Sequence, residues 1–360
     1  MYIGSSWRTI KMKRIKALDS LRFVFMGLIF LSHLNFLKDE GNLFNNLFFQ
    51  GGPAGVTYFI VLSGFAMGLK YKDAFEGVVT LKDSFQFSYK RIKKFTPIHL
   101  FSLLLVLPLC IKQILYPISF LCKLFFNITL LQTWIPNMEF YFSFNAVSWY
   151  LSLIAFFYFI TPYVINRIHK LFKIVGGGVL VLLTVQIVYT LLFKNNANAH
   201  WFIYVFPLYR GLDYLQGLLL AKLYVENKEC SNFKRLSVSQ WTFIEVLCLS
   251  SYLLLYLFAT RIDISFVYDI YFLPVTMILI FVFAMSKGKF SQYLDNNSLA
   301  SVAKDIMYFF MLHQLCIRYI SAILLKFNVN GIVISMLCLI TSILSVKMVK
   351  VMFTKIGVIK

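Results

Sequence analysis

Apolar stretches of about 18 to 22 residues, separated by short polar and basic loops, follow one another along almost the whole chain. An α-helix needs about 20 consecutive apolar residues to cross the hydrocarbon core of a bilayer. The pattern therefore predicts an all-α, polytopic membrane protein with about ten transmembrane helices. We expect these spans near residues 17–37, 53–70, 97–114, 146–166, 174–193, 202–222, 241–260, 265–285, 303–325 and 330–350.

One further apolar segment, residues 115–134, is interrupted by Pro117 and Lys123. Its uninterrupted parts are too short to cross a bilayer. We predict a re-entrant or interfacial helix here, and an eleventh span is the alternative.

The composition agrees with a membrane protein, because 59% of the residues are hydrophobic and the mean hydropathy is +0.75. Lys and Arg alternate with the predicted spans, 26 on the side of the N-terminus and six on the other side. Cytoplasmic loops carry the excess of Lys and Arg, so we predict that both termini are cytoplasmic. The same rule explains the net charge of +20 without a nucleic-acid partner. Residues 1–360 are predicted to form a single integral-membrane domain without a soluble accessory domain.

The six cysteines are dispersed along the chain and form no C-x-x-C pair. Most lie among apolar residues, which is typical of cysteines that fill a core. They indicate neither a disulfide framework nor a zinc site, and we predict no metal.

The first span is apolar but contains Arg22 and His33. Ionisable residues inside a membrane helix usually face the protein interior or a wet cavity, and they often mark function. At about 100° and 1.5 Å per residue, their spacing places both on one helix face, about 16 Å apart. That spacing suits a long ligand with an anionic end at Arg22 and a reacting group at His33. The alternative is that Arg22 extends to the lipid head groups and His33 is a satisfied interfacial histidine.

The second span opens with glycines and a proline and carries Ser63 and Gly64 in its middle. Small residues allow helices to approach closely in a membrane. A basic cluster that includes Arg91 and Lys94 then precedes the third span. It can bind phosphate groups, or it only orients the span and contacts anionic lipid.

The order of these motifs resembles the acyltransferase-3 family of bacterial integral-membrane O-acyltransferases, which modify surface polysaccharides and related glycans. The first span of that family starts Leu-Asp-x-x-Arg and carries a histidine farther along, which Leu18, Asp19, Arg22 and His33 match. Its second span reads G-x-x-G-V-x-x-F-F-x-x-S-G-F, and residues 52–65 are similar to it.

Two elements resemble the family with substitutions. The R-x-x-R element of the family appears as Arg91 and Lys94, so the second position keeps its charge but loses the forked donors of arginine. Residues 307–314 resemble an element that ends in Tyr-Leu-x-His, with Phe310 in place of the tyrosine and His313 matching.

Residues 127–136 and 147–162 resemble the two tryptophan-containing elements of the family. In the second element many members have a glutamate where this chain has Ile154. Either this branch works without that carboxylate or another acid replaces it. The candidates for a replacement are Glu139 and Glu245.

Residues 201–223 resemble the middle segment of the family, which begins with arginine and contains glycine. Arg210 and Asp213 lie three residues apart there, so they share a helix face. We predict that the two side chains neutralise each other.

The resemblance implies a membrane O-acyltransferase, in the simplest case an O-acetyltransferase, of the bacterial plasma (inner) membrane. Such an enzyme moves an acyl group from cytoplasmic acetyl-CoA to a hydroxyl of a cell-surface glycan or lipid-linked saccharide. O-antigen, capsule and exopolysaccharide are all compatible acceptors. Acetyl-CoA is then a substrate, and we predict no permanently bound cofactor.

The same resemblance implies roles for individual residues. We expect the CoA phosphates to bind Arg22, Arg91 and Lys94, and we expect His33 to act as the general base or as a nucleophile. Asp19 is expected to orient Arg22. For His313 the alternative is a core histidine, and for Trp149 it is an interfacial anchor. The predicted catalytic residues are His33 and Arg22, and the predicted substrate-binding residues are Asp19, Ser63, Trp149 and His313.

Two other classes of function compete with the acyltransferase. A transporter or flippase of a lipid-linked sugar also has about ten spans and buried ionisable residues. Transporters commonly carry repeated halves, and residues 1–180 and 181–360 share no matching motifs. A structural or regulatory membrane protein descended from the family is the third alternative, because the family glutamate is missing at Ile154.

Overall fold

A computed structural model of the chain describes residues 14–39, 47–71, 74–75, 78–171, 175–228, 230–297, 301 and 303–358. Six residues counted in the charge comparison lie outside the described residues, namely Arg8, Lys11, Lys13, Lys72, Lys173 and Lys360. The described part is helical and contains no strand, which confirms the all-α class. Its α-helices are α1 (Lys16–Ser32), α2 (Gly51–Tyr71), α3 (Leu81–Ile92), α4 (Thr96–Val106), α5 (Pro117–Ile128), α6 (Met138–Tyr141), α7 (Trp149–Leu171), α8 (Val175–Phe193), α9 (Pro207–Lys228), α10 (Ser231–Arg235), α11 (Val238–Phe258), α12 (Ile264–Val267), α13 (Leu273–Met285), α14 (Lys289–Leu294), α15 (Ile306–Leu324) and α16 (Gly331–Lys355).

Seven helical segments among the described residues are long and apolar enough to cross a bilayer. Each of them coincides with a predicted span, so the prediction of a polytopic membrane protein is confirmed. They are Gly51–Tyr71, Thr96–Leu115, Ala146–Ile165, Val175–Phe193, Val238–Arg261, Ala303–Phe327 and Gly331–Lys355.

The other three predicted spans are helical but are shorter or more polar. α1 has 17 residues and ends at Ser32, before the 3₁₀ segment Asn35–Asp39. α9 has 22 residues and carries buried charges. α13 has only 13 residues, because the predicted span near residues 265–285 is divided by a turn and Pro274 begins a new helix after it. The total of ten spans stays a prediction.

α5 packs against the bundle with one narrow face, since only Lys123 and Asn127 of its 12 residues are buried. Its 12 residues extend about 18 Å, less than the roughly 30 Å of a bilayer core. Near its end the fully buried Asn127 donates from Nδ2 to Ser143 Oγ over 2.6 Å. The ring of His99 on α4 donates from Nε2 to the Asn127 carbonyl over 2.9 Å. α5 by itself is therefore too short to cross the bilayer, and its re-entrant or interfacial placement stays a prediction.

α2 is at the centre of the bundle and packs closely on α9 and α1. A Cβ at Gly64 or Gly217 would overlap the backbone of the other helix, and a Cβ at Gly55 would overlap the side chain of Ile29 on α1. Glycine is needed at these positions because the helix axes approach too closely for a side chain. The glycines therefore bring α2 against α1, which carries Arg22.

A fully buried charged cluster joins α9 to its neighbours. Arg210 forms ion pairs with Asp213 at 3.1 Å and with Asp269 at 2.7 Å. Gln186 on α8 donates to both carboxylates, over 2.6 Å and 2.9 Å. The predicted pairing of Arg210 with Asp213 is confirmed, whereas Asp269 and Gln186 were not expected from the sequence. Because buried charges require partners, this cluster fixes how α9 sits beside α8 and the segment before α13.

Candidate active site

A cavity of about 1050 Å³ lies between α1, α2, α7 and α15, and we refer to it as the first cavity. Along α1 it extends from Asp19 to Ile29, which corresponds to about 15 Å of helix. Its volume is at the upper end of the range of about 300–1000 Å³ for small-molecule sites. The first cavity therefore has room for a long ligand.

One end of the first cavity is basic and the rest of its wall is mostly apolar. Arg14, Arg22, Lys70 and Lys304 line the basic end. Asp19 is the carboxylate in the described lining, so the positive charges are in excess. The walls are formed by apolar and aromatic side chains, among them Met26, Ile29, Val56, Phe59, Leu62, Tyr150, Ile154, Tyr158, Met307 and Phe310.

Asp19 lies between two arginines at the basic end. Arg22 Nη1 contacts Asp19 Oδ1 at 3.3 Å, and Arg14 Nε pairs with Asp19 Oδ2. The Nε of Arg22 is buried and has no hydrogen-bond partner among the described residues. The contact agrees with the expectation that Asp19 orients Arg22. It leaves Arg22 with a donor for a ligand in the first cavity.

His33 and His313 lie together, just beyond the other end of the first cavity. His33 follows Ile29 by four residues on α1, and His313 follows Phe310 by three residues on α15, so each is about one turn past a lining residue. Their ring centroids are 5.0 Å apart, and His313 Nε2 lies 3.4 Å from His33 Nδ1. This contact could not be predicted from the sequence, since 280 residues separate the two histidines.

The carbonyl groups around the two rings determine which nitrogens carry protons. His33 Nδ1 lies 2.8 Å from the Ile29 carbonyl oxygen, and His313 Nδ1 lies 2.8 Å from the Phe310 carbonyl oxygen. A carbonyl oxygen only accepts, so both Nδ1 atoms donate. The neutral form of His33 therefore has its lone pair on Nε2. In the same way, Nε2 of His313 is an acceptor that faces Nδ1–H of His33.

The predicted substrate-binding residues are distributed over different places. Asp19 and Ser63 line the first cavity. Trp149 is only 6% exposed and lies outside the described lining, with its ring 5.0 Å from that of Tyr204. His313 adjoins His33. Substrate binding by these four residues stays a prediction.

The predicted phosphate-binding residues of α3 and the turn after it lie behind the cavity wall. The Arg91 guanidinium carbon is 3.2 Å from the centroid of the Phe87 ring and 5.8 Å from that of Tyr158, which is a lining residue. Lys94 is exposed, and neither residue belongs to the described lining. Their role toward CoA stays a prediction. Lys70, to which the sequence assigned no individual role, does line the first cavity. It follows Ser63 by seven residues, so it is on the same face of α2.

The structure puts an apolar side chain where the family glutamate is expected. Ile154 is buried and lines the first cavity. Glu139 pairs with Lys123 at 2.9 Å, outside the described lining, and the hydrogen bond and charge of Lys123 lower the pKa of the Glu139 carboxyl. Glu245 accepts from the backbone N–H groups at the start of α14. Of the described residues, Asp19 is the one that brings a carboxylate into the lining.

His200 belongs to an aromatic cluster with Trp149 that also contains Tyr141, Phe142 and Tyr204. Its Nδ1 lies 3.1 Å from Tyr141 Oη, and its ring centroid is 5.3 Å from that of Tyr204. Burial lowers the pKa of His200 to about 4. His200 is therefore neutral near pH 7.

The comparison with known families agrees with this site. The acyltransferase-3 family model, described as an acyltransferase domain, matches residues 15–348. Searches of curated proteins and of solved structures gave no match. The matched region begins one residue before α1 and ends within α16, so it includes the first cavity's helices and both histidines. The chain therefore belongs to the acyltransferase-3 family and is a membrane acyltransferase.

Proposed function

We propose that this protein is an O-acetyltransferase of the bacterial plasma membrane, which transfers the acetyl group of cytoplasmic acetyl-CoA to a hydroxyl of a cell-surface glycan or its lipid-linked precursor. The observation that carries the proposal is the alignment of a basic cavity end, an apolar passage and a histidine pair along α1. A CoA molecule has the same order of parts, with phosphates at one end and a thioester at the other. The positive-inside rule puts the basic end on the cytoplasmic side.

The basic end of the first cavity supports binding of the CoA phosphates. Arg22 has a buried N–H without a partner, and Lys70 and Lys304 add positive charge. Charge-assisted hydrogen bonds to phosphate are among the stronger polar contacts. The pantetheine arm then extends along the apolar wall toward His33, over a helix rise of about 16 Å. Arg91 packs on Tyr158 and Lys94 directly precedes Phe95, and both aromatic residues line the first cavity, so the two cations add positive charge beside it.

The tautomer of His33 supports a role as general base. Its Nε2 lone pair takes the proton of the acceptor hydroxyl as that oxygen attacks the thioester carbonyl. A carbon–oxygen bond forms and the carbon–sulfur bond breaks, so CoA leaves as a thiolate that receives the proton from the imidazolium. The alternative is an acetyl-imidazole on His33, which mass spectrometry of the protein after incubation with acetyl-CoA alone would reveal.

His313 acts in this proposal as a positioning residue. Its Nε2 accepts from His33 Nδ1–H, which the Ile29 carbonyl also accepts. Both acceptors hold the proton on Nδ1 and stabilise the imidazolium that forms during transfer. The arrangement has the logic of a catalytic triad, in which a neighbour of the histidine orients the ring.

Mass spectrometry of surface glycan from cells with and without the gene tests the proposal. We expect a mass difference of one acetyl group, which disappears when the gene carries His33→Ala. Purified protein in nanodiscs should release CoA from acetyl-CoA only when glycan acceptor is added. Unchanged glycan mass would contradict the proposal. Movement of a lipid-linked sugar across vesicles without acyl transfer would instead indicate the transporter class.

A further inference from the structure

A second cavity, of about 760 Å³, lies at the other side of the histidine pair from the first cavity. The 3₁₀ extension of α4 over Leu107–Leu115, α5 and the outer half of α15 form its walls. Gln314, which directly follows His313, is part of its lining. Among its lining residues, only Glu139 had been given a possible role from the sequence, as a replacement for the family glutamate.

One face of α15 contributes to both cavities. Ile306 and Phe310 line the first cavity, whereas Gln314 and Arg318 line the second. These four residues are spaced by four, so they form one stripe along the helix. His313 is next to the point where the stripe passes from one cavity to the other. A ligand in the second cavity therefore lies about one helical turn from the proposed base and its partner.

The second cavity carries two cations without a carboxylate partner. Lys123 is paired with Glu139 at 2.9 Å, which neutralises both. Lys112 and Arg318 also line the cavity, and neither forms an ion pair with a described residue. Arg318 Nη1 donates to the Phe144 carbonyl over 3.1 Å, which leaves other N–H groups of its guanidinium for a ligand. The cavity therefore has an excess of positive charge.

The second cavity also carries hydrogen-bonding groups that nothing in the described structure uses. The Oε1 atoms of Gln113 and Gln314 are buried and have no hydrogen-bond partner among the described residues. Buried amide oxygens without a partner are unfavourable, so a ligand with hydroxyl donors would satisfy them. The rings of Phe120 and Phe144, 5.3 Å apart, provide an apolar wall. Hydroxyl donors together with a flat apolar face are the chemistry of a sugar.

We propose that the second cavity binds the acceptor through an oxyanion, so that the acceptor is a saccharide bearing a carboxylate or a phosphate. Arg318 and Lys112 bind the oxyanion, and the two glutamine side chains bind sugar hydroxyls. Arg318 is placed to form a forked pair with a planar or tetrahedral oxyanion. Only the identification of this ligand as the acceptor rests on the proposed function, because the ligand chemistry follows from the cavity itself.

Binding measurements on the full chain in phosphatidylcholine nanodiscs test the proposal. The probes are D-glucuronic acid, D-glucose 1-phosphate and neutral D-glucose, so that carboxylate and phosphate are compared with an uncharged sugar. We expect both anionic sugars to bind at least about tenfold more tightly than glucose, since one hydrogen bond to a charged group accounts for a factor of that size. Arg318→Gln should remove that difference, and Lys112→Gln should reduce it.

Arg261→Gln and Lys326→Gln are the matched controls. Both residues are exposed cations on the same predicted side of the membrane and are outside the described lining of the second cavity. Neither control should change the affinity for either anionic sugar. The thermal melting curve of each variant in nanodiscs reports that it is folded. If Arg318→Gln is not folded, Arg318→Lys and Lys112→Gln decide the question.

Three results would overturn the proposal. The first is equal affinity for glucose and the anionic sugars. The second is an unchanged preference for anionic sugars in both Arg318→Gln and Lys112→Gln. The third is competition by phosphatidylglycerol added to the nanodiscs, which would make the second cavity a site for lipid head groups. By contrast, the protein could bind anionic sugars selectively and never bind acetyl-CoA. That result would support an anionic-sugar site in the second cavity and contradict the proposed function.

Discussion

The two cavities meet along one face of α15, but their charges are compensated in different ways. In the first cavity Asp19 lies between Arg14 and Arg22, Lys70 and Lys304 add positive charge, and the rest of the wall is mostly apolar. In the second cavity Glu139 neutralises Lys123, whereas Lys112 and Arg318 have no carboxylate partner among the described residues. The Oε1 atoms of Gln113 and Gln314 have no hydrogen-bond partner there either. A basic end with a long apolar wall suits an amphiphile that carries phosphate. Cations with amide acceptors suit a hydroxylated anion. In the two proposals above, this difference corresponds to a donor and an acceptor of different chemistry on opposite sides of one histidine pair.

Cysteine labelling should show the largest difference between the two cavities, because each position is either labelled or not labelled in intact cells. A membrane-impermeant maleimide should label Lys112→Cys in intact cells, whereas Lys304→Cys should react only after the membrane is permeabilised. The physical reason is the distribution of Lys and Arg, which predicts opposite sides for the two cavities. Both variants are made with Cys122→Ser, since Cys122 is exposed, and that single variant is the control. Labelling of both positions in intact cells would contradict the assignment of sides.

Replacement of the proposed base should have the next largest effect. His33→Ala should reduce acetyl transfer by a factor of at least about 100, because general-base catalysis contributes about 10²–10⁴. Binding at both cavities should remain, since the side chain lies beyond the lining of the first cavity and outside that of the second. Rates of CoA release and the affinity for acetyl-CoA, measured on the same nanodisc preparation, check both statements. Normal acetylation by His33→Ala would remove the catalytic assignment.

Arg22 should affect the use of acetyl-CoA but not the use of the glycan acceptor. Arg22→Ala should raise the KM for acetyl-CoA about tenfold, because a hydrogen bond to a charged group is lost, and should leave the KM for the glycan acceptor unchanged. Steady-state kinetics with each substrate varied in turn give both values. Arg167→Ala is the control, since this exposed arginine lies at the predicted cytoplasmic end of α7. Equal loss for both substrates would mean that Arg22 does not belong to the donor site alone.

The contact between the histidines should have a smaller effect on the rate. His313→Phe should lower kcat about fivefold, the equivalent of one neutral hydrogen bond. The KM for acetyl-CoA should stay the same. His313→Gln should restore most of the rate because its amide oxygen can accept from His33 Nδ1–H. If the His313→Gln and His313→Phe variants have equal kcat values, then His313 fills space and does not orient His33.

The smallest expected effect is on the stability of the protein and concerns His200. Its ring centroid is 5.7 Å from that of Phe142, which lines the second cavity. Burial holds the pKa of His200 at about 4, below its ordinary value of 6.5, so the unfolded chain binds a proton more readily than the folded chain between these values. Stability should therefore fall as the pH drops from about 6.5 toward 4. In His200→Phe the melting temperature should decline by a few °C less over that range. Identical pH dependence of the two melting curves would show that His200 is not responsible.

Much of the fold could be predicted because membrane helices leave a direct pattern in the sequence. The apolar lengths identified the helices, and the interruption at Pro117 and Lys123 predicted that the apolar segment there forms only a short helix, which is α5. The boundary of α13 could not be predicted in this way. Residues 265–272 are less apolar than the helix that follows and contain Asp269, but most of their other residues are aromatic or aliphatic, so a count of apolar length joined them to that helix.

The candidate site was predicted only where its residues share one element. Arg22 and His33 belong to one helix, so their spacing alone placed them on a common face. The contact of His33 with His313, the lining role of Lys304 and the whole second cavity join residues from distant parts of the chain. Such contacts depend on how the helices cross, which is decided by close packing at glycines such as Gly64 and Gly217 and by the Arg210 cluster. The sequence by itself thus determined the membrane class, the family resemblance and the cation–imidazole spacing on α1. Only the tertiary structure decided which side chains meet, because side chains on different helices become neighbours through packing and not through sequence separation.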